Sequence, residues 1–159
     1  MRFLALALFS LGQLLAEFNA PRLYWTDKDL GLIQASDPNG GNRETILSGL
    51  SDPRGIAVDT NQEKIFWAVH EVNGAIWWAN CDGTNAEVFI SSLDEPADLE
   101  LDIENGVIYW VSEGSGQIQK ANLDDNREVT VVLSELIRPY YLALGDGFVY
   151  WSYFNSGVI

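Results

Sequence analysis

Histidine, cysteine and basic side chains are scarce in this 159-residue chain, which has one His, one Cys and 9 Lys and Arg against 23 Asp and Glu. The lone Cys81 excludes an intramolecular disulfide, and the lone His70 provides no histidine cluster for zinc. Cys81 stands where other repeats have Pro38 and Leu123, so we expect a small buried hydrophobe, with pairing to a partner chain as the alternative. The formal net charge of -14 disfavours nucleic acid and favours basic protein partners. We expect no metal and no cofactor.

Long apolar runs are also rare, and the exception lies at residues 1–16. Arg2 is followed by an apolar run that ends at the small residue Ala16, which is typical of a secretory signal peptide. The run is shorter than the roughly 20 residues that span a bilayer. We therefore expect cleavage near Ala16 and a secreted or extracellular product, residues 17–159, without a membrane span.

An aromatic pair recurs along the chain at intervals of 42, 43 and 41 residues. Pro53, Pro96 and Pro139 repeat in the same register, 43 residues apart. A period of roughly 40 to 50 residues is typical of one four-stranded blade of a β-propeller. The four pairs are Tyr24-Trp25, Phe66-Trp67, Tyr109-Trp110 and Tyr150-Trp151.

Each repeat predicts four short strands. One follows the proline, one carries the aromatic pair, one follows a glycine such as Gly74 or Gly116, and one is β-branched, as at residues 129–133. Apolar residues on both faces of the aromatic strand indicate a sheet that is buried between neighbours. Residues 55–133 are therefore predicted to form two complete four-stranded antiparallel blades.

Tyr24-Trp25-Thr26-Asp27 reads YWTD, Pro53 to Asp59 reads PRGIAVD, and Ala79 to Gly83 reads ANCDG. In these motifs residues 23–159 resemble the class B repeats of the low-density lipoprotein receptor family. The resemblance implies an all-β fold, a six-bladed β-propeller of which this chain supplies about three to four blades. It also implies a non-catalytic, receptor-type module that binds an extracellular protein and that, in a longer parent chain, would be part of the ectodomain of a membrane receptor. The Thr-Asp half of the motif survives only in the first repeat.

Six blades of about 43 residues would need roughly 260, so residues 17–159 are expected to form an incomplete propeller. Its terminal blades would then have open faces. We expect Tyr24, Trp25, Tyr150 and Trp151 to lose cover there, and self-association through these faces to follow.

Propellers bind partners mostly at one rim, through loops between and within blades. Tyr140 and Tyr141 add aromatic bulk of the kind enriched in interface hot spots; the alternative is that one of them packs into the central channel. Trp77 replaces glutamine at its repeat position, which favours partner contact or a local packing role. We expect lysine at Glu95 and Asp98 to weaken binding of a basic protein without unfolding the chain. The predicted ligand-binding residues are Arg54, Glu95, Asp98, Arg138, Tyr140, Tyr141, His70, Glu71 and Trp77.

The alternative function is that of a six-bladed propeller enzyme, similar to lactonases or esterases, which holds a metal in the central channel. Such a channel needs convergent carboxylates, asparagines and histidines. The strands after the prolines instead supply apolar residues such as Ile56, Leu99 and Leu142, and no catalytic residue is predicted.

Overall fold

The computed structural model describes residues 2–7 and 21–154, and within these ranges every regular element is a β-strand. The strands in chain order are β1 (Arg2–Ala7), β2 (Arg22–Asp27), β3 (Leu32–Ser36), β4 (Glu44–Ser48), β5 (Pro53–Asp59), β6 (Lys64–Val69), β7 (Val72–Asn80), β8 (Glu87–Asp94), β9 (Pro96–Asp102), β10 (Val107–Ser112), β11 (Gln117–Asn122), β12 (Thr130–Leu133), β13 (Pro139–Gly145) and β14 (Phe148–Tyr153).

Consecutive strands pair into antiparallel sheets, which we number as blades in chain order. Blade 1 contains β1 to β4, blade 2 contains β5 to β8, blade 3 contains β9 to β12, and blade 4 contains β13 and β14. The two complete blades predicted for residues 55–133 are confirmed, with the first beginning at Pro53. The all-β, partial propeller architecture is confirmed as well.

The two residues of each aromatic pair face opposite neighbours, because successive side chains of a strand point to opposite faces. Phe66 packs in a cluster with Leu99 and Trp110 of blade 3. Trp67 packs in a cluster with Tyr24 of blade 1. Blades 2 and 3 are thus each held between two neighbours by apolar burial on both of their faces.

The strands that follow the prolines place their apolar side chains between blades. The expectation that these side chains line the central channel is therefore wrong. Ile56, Leu99 and Leu142 each belong to a different interblade cluster and are 1–5% exposed. The alternation of the strand turns them toward the preceding blade.

The Thr-Asp half of the YWTD motif serves the contact between blades 1 and 2. The buried Thr26 hydroxyl donates to the carbonyl oxygen of Arg54 at 2.6 Å. Asp27 accepts from the backbone N–H of Leu30 at 3.2 Å, which orders the turn that follows β2.

Strand β1 lies beside β2 and pairs with it from Arg2 opposite Asp27 to Ala7 opposite Arg22. In blades 2 and 3 the strand after the proline takes this place. The predicted cleavage site at Ala16 and residues 8–20 lie outside the described residues, so the signal peptide stays a prediction. In the described ranges we find no helix with the length and apolar character needed to cross a membrane.

Only one of the four aromatics expected to lose cover is strongly exposed. Tyr150 is 53% exposed because it faces away from blade 3, and no described residue packs a further blade on that face. Trp151 packs against blade 3 and is partly buried. Tyr24 and Trp25 are 2% and 8% exposed, and the Arg43 guanidinium lies 5.3 Å from the centre of the Trp25 ring.

Gly116 occupies a turn that no other residue fits well. Its φ is 62°, and a Cβ there would lie 2.3 Å from the carbonyl oxygen of Leu136. Gly106 has a similar φ of 65°, but a Cβ there would meet nothing within 4 Å. We expect Gly116→Ala to lower the free energy of unfolding by about 1–2 kcal/mol more than Gly106→Ala, since both have the left-handed strain and only one has the clash. Urea unfolding of both variants tests this; equal losses would contradict it.

Candidate functional site

One rim of the propeller is built on a strained backbone position that repeats before each proline. The values of φ are 31° at Asp52, 50° at Glu95 and 49° at Arg138. Left-handed backbone costs free energy at non-glycine residues, and such strain is common at functional sites. The carbonyl oxygen of each of these three residues accepts a hydrogen bond from a backbone N–H. The donor is the residue that follows the aromatic strand of the same blade. The donors are His70, Glu113 and Phe154, at 3.1, 3.0 and 3.0 Å.

Six side chains meet at this rim and are called the rim cluster below. They are Asp52, Arg54, His70, Glu113, Arg138 and Tyr140. The guanidinium of Arg54 donates to both carboxylate oxygens of Asp52, at 2.8 and 3.1 Å. It also donates to the hydroxyl of Tyr140, which lies 86 residues further along the chain. Arg54 therefore links the entry to blade 2 with blade 4.

The other half of the rim cluster is centred on the nearly buried Glu113, whose side chain is 6% exposed. Its carboxylate lies 3.0 Å from Nε2 of His70 and accepts from Arg138 at 2.5 and 2.8 Å. Nδ1 of His70 lies 3.6 Å from the carboxylate of Asp52. The imidazole thus joins the two carboxylates, and through them residues of blades 2, 3 and 4.

The charges of Asp52 and Arg54 stabilise each other. Burial alone would raise the pKa of Asp52, but the hydrogen bonds and charge of Arg54 outweigh it and hold that pKa below its usual value. Burial alone would lower the pKa of Arg54, and the hydrogen bond to Asp52 reverses that direction. Both groups are therefore ionised at neutral pH.

The two tyrosines of the rim have different roles. Tyr140 is 2% exposed and packs with the interblade core, while Tyr141 is 41% exposed. Their rings meet edge to face at 5.1 Å, and the Tyr140 ring lies 4.9 Å from that of Phe154. The two predicted alternatives were an exposed interface role and inward packing. Tyr140 packs inward, and its ring supports that of the exposed Tyr141.

Asp98 is placed apart from the rim surface, against the inner strands. Its carboxylate accepts from the backbone N–H of Leu142 at 2.9 Å, and a Cβ at Gly55 would meet its backbone at 2.6 Å. Burial raises the pKa of Asp98 to about 7 and also raises that of the nearby Glu100. Lysine at position 98 would lose the hydrogen bond from Leu142, and whether the chain then keeps its fold stays a prediction.

The remaining predicted residues divide between the rim and the core. Glu71 is exposed at the rim and accepts a hydrogen bond from the hydroxyl of Ser51. The backbone N–H of Glu95 donates to the carbonyl of Glu71 at 3.0 Å, so Glu95 also lies at the rim. The ring of Trp77 stacks on that of Trp67, with their centres 6.2 Å apart, so of its two predicted roles Trp77 has the local packing one.

Cys81 is partly buried and packs against the core between blades 1 and 2, as expected of a small hydrophobe. Burial raises the pKa of its thiol to about 11, so little reactive thiolate exists at neutral pH. We expect Cys81 in the native chain to react with a thiol reagent at least ten times more slowly than in urea. Reaction at equal rates would contradict this burial.

Asp52 and Glu113, the two carboxylates that join the cluster, lie in the loops predicted to form the rim but were not among the predicted ligand-binding residues. Asp52 had a usable signal, since it precedes a repeating proline. Glu113 had only its position in a loop. In the part of the chain that the structure describes, no three His, Cys, Asp or Glu side chains gather in a way that could hold a metal ion.

Antiparallel blades that pack face to face around strands β5, β9 and β13 define the class of this protein, a β-propeller. Residues 21–60 match the family described as low-density lipoprotein receptor repeat class B. The chain therefore carries a repeat of that family, and the resemblance drawn from its YWTD motif is confirmed.

Three solved structures share the fold at low sequence identity. A chain of a nidogen/laminin complex is 24% identical with a TM-score of 0.76, and the match covers 82% of this chain and 51% of that one. A gluconolactonase from Xanthomonas campestris is 20% identical with a TM-score of 0.71, covering 84% and 51%. A streptogramin B lyase is 18% identical with a TM-score of 0.66, covering 82% and 44%. The chain thus spans about half the length of these structures.

Proposed function

We propose that this chain is an extracellular ligand-binding module of the receptor type, and that the rim cluster supports its protein-binding surface. The observation that carries the proposal is the convergence of three blades at one rim. Buried anchors, Tyr140 and Glu113, hold the exposed Tyr141 and Arg138 in place. Exposed tyrosine and arginine on a rigid base are typical of interface hot spots. The extracellular location rests on the class B repeat and on the signal-peptide pattern of residues 1–16.

The charge of the rim favours a basic partner. Asp52 with Arg54 and Glu113 with Arg138 form balanced pairs. Glu71 and Glu95 add negative charge in a chain whose net charge is already -14. Attraction between exposed charges raises association rates and is screened by salt.

The first binding test uses laminin, because a similar chain comes from a nidogen/laminin complex, with polylysine as a generic basic surface. We expect the immobilised full chain to bind at least one of them, more weakly as salt rises. Tyr141→Ala should weaken binding at least tenfold through lost aromatic contact, and Glu95→Lys should slow association at least threefold.

Glu104→Lys is the matched control for charge, since Glu104 is exposed in the turn after β9, at the opposite end of the strands. Surface plasmon resonance on all three variants separates a rim effect from a change in net charge. Equal loss in Glu95→Lys and Glu104→Lys would contradict a rim site, and so would full affinity in Tyr141→Ala.

We also propose self-association through the face of blade 4 that points away from blade 3. Phe148 and Tyr150 are 67% and 53% exposed there, with their ring centres 6.4 Å apart. Tyr24 and Phe66 hold the repeat position of Tyr150 in other blades and are 2% and 3% exposed, because a neighbouring blade covers each. A second chain that covers this face would bury the same kind of surface.

Sedimentation velocity of the full chain tests this contact. We expect the wild type to sediment as a concentration-dependent oligomer, and the double variant Phe148→Ser with Tyr150→Ser to shift its dissociation constant upward at least tenfold. Leu30→Ser is the control, because Leu30 is 67% exposed elsewhere. A wild type that stays monomeric at all concentrations would contradict the proposal.

A further inference from the structure

Strand β1 holds the place of an inner strand, although it comes from the segment for which the sequence predicts a signal peptide. The inner strands β5, β9 and β13 each pair with the aromatic strand of their own blade. Strand β1 pairs with β2 in the same antiparallel way, and it also lies beside β5. The strands β1, β5, β9 and β13 thus form one row, in which each lies beside the next.

The register of β1 on β2 is the register of the other three blades. In every blade one residue of the inner strand stands opposite the tryptophan of the aromatic pair. In blades 2, 3 and 4 this residue is 1–5% exposed. Leu4 therefore occupies a register position that is apolar and buried in every other blade. The four residues at this position are Leu4, Ile56, Leu99 and Leu142.

The two positions that follow Leu4 repeat the pattern of the other inner strands. Residues 4–6 read Leu-Ala-Leu, as residues 142–144 of β13 do, and residues 56–58 of β5 read Ile-Ala-Val. Blade 3 differs only in the middle, where residues 99–101 read Leu-Glu-Leu. Large apolar residues on either side of a small one suit a strand that lies between neighbouring blades. Residues 2–7 therefore have both the register and the residue types of an inner strand.

The link between β1 and β2 is long, and the predicted cleavage point lies within it. Residues 8–21 join these two strands, whereas residues 60–63 and 103–106 make the same connection in blades 2 and 3. A cut near Ala16 would leave both strands whole. Without β1, the backbone N–H and C=O groups along that edge of β2 would lose their partners, and such an edge recruits an extended segment.

We propose that the edge of β2 that faces β1, together with the adjoining side of β5, is a strand-binding site. Its occupant is residues 2–7, which stay bound when the chain is cut near Ala16. Main-chain hydrogen bonds along β2 supply the affinity, and the apolar positions of the row of inner strands supply the specificity. The site takes an extended apolar segment with a small residue at its centre. It lies outside the rim cluster, and it does not depend on what the rim binds.

The first test cuts the folded chain within the link. The recognition site of a specific protease replaces residues 12–18 of the full chain, and the cut product is passed through a size-exclusion column. We expect the short segment to elute with the folded remainder, as its mass will show, and to leave it in urea. Elution of the segment apart from the remainder without urea would overturn the proposal.

Two matched variants of the cut chain test whether the segment binds in register. Leu4→Asp should weaken retention of the segment at least tenfold, because it places a charge where the other blades bury an apolar residue. Leu11→Asp is the control, since it makes the same change in the same apolar run but outside β1. Equal weakening by both variants would overturn the proposal, because the segment would then bind as an apolar tail without a register.

Hydrogen exchange of the uncut wild type gives a readout that needs no variant to fold. We expect the most protected amides of residues 2–7 to exchange at least a hundredfold more slowly than in the urea-unfolded chain, because they are bonded to β2. Exchange of all of these amides at the unfolded rate would overturn the proposal.

Discussion

Asp98→Asn is expected to stabilise the chain by about 2–4 kcal/mol more at pH 8 than at pH 4, measured against the wild type at each pH. Burial raises the pKa of the Asp98 carboxyl from 3.8 to about 7. The folded state therefore holds the proton more tightly than the unfolded state does. Stability contributed by the protonated carboxyl is complete below about pH 4 and is lost as pH rises through 7, at about 1.4 kcal/mol per pKa unit.

Asparagine removes this loss because its amide does not ionise, while its oxygen still accepts from the N–H of Leu142, as Asp98 does at 2.9 Å. Urea unfolding followed by tryptophan fluorescence from pH 4 to pH 8 gives both curves. Asp125→Asn is the control, since Asp125 is exposed and the change removes the same charge. Parallel curves for the wild type and Asp98→Asn would show that Asp98 titrates normally.

Arg54→Met should lower the free energy of unfolding by about 2–4 kcal/mol at neutral pH. Arg54 is 8% exposed and bonds to Asp52 and Tyr140. Methionine retains most of the apolar stem and removes every donor, so Asp52 and the Tyr140 hydroxyl both lose their hydrogen bonds from Arg54. Removal of one member of a buried charged pair is among the costlier single changes.

The loss in free energy of unfolding caused by Arg54→Met should also depend on pH. Because Arg54 holds the pKa of Asp52 below its usual value, this pair contributes stability above about pH 4 and loses it as pH falls further. Arg138→Met is the control, with a side chain that is 59% exposed and an expected loss of about 1 kcal/mol or less. Equal losses in the two variants would contradict a structural role for the Arg54 link.

At the rim, the sequence predicts which loops come together but not which side chains pair. Arg54, His70, Arg138 and Tyr140 were predicted because they lie in loops that a propeller brings to one rim. Asp52 and Glu113 lie in the same loops, but their pairing with these residues was not predicted, because the angle between blades decides it and no local pattern does. Trp77 is a second example. Other repeats have glutamine at its position, so the sequence marks it as unusual, but only the structure shows that it stacks on Trp67.

The sequence by itself determined the period, the strands and the family. The aromatic pairs, prolines and turn glycines act within a few residues of their own position, and the side-chain alternation of a strand has a fixed period of two. Only the tertiary structure decided which side chains meet. Arg54 and Tyr140 are 86 residues apart, Asp98 meets Leu142 across 44, and Arg127 meets Phe89 across 38. These contacts follow from how the blades stack, because the stacking sets burial and local charge. It also buries the Asp98 carboxyl of β9, which raises the pKa of that group to about 7.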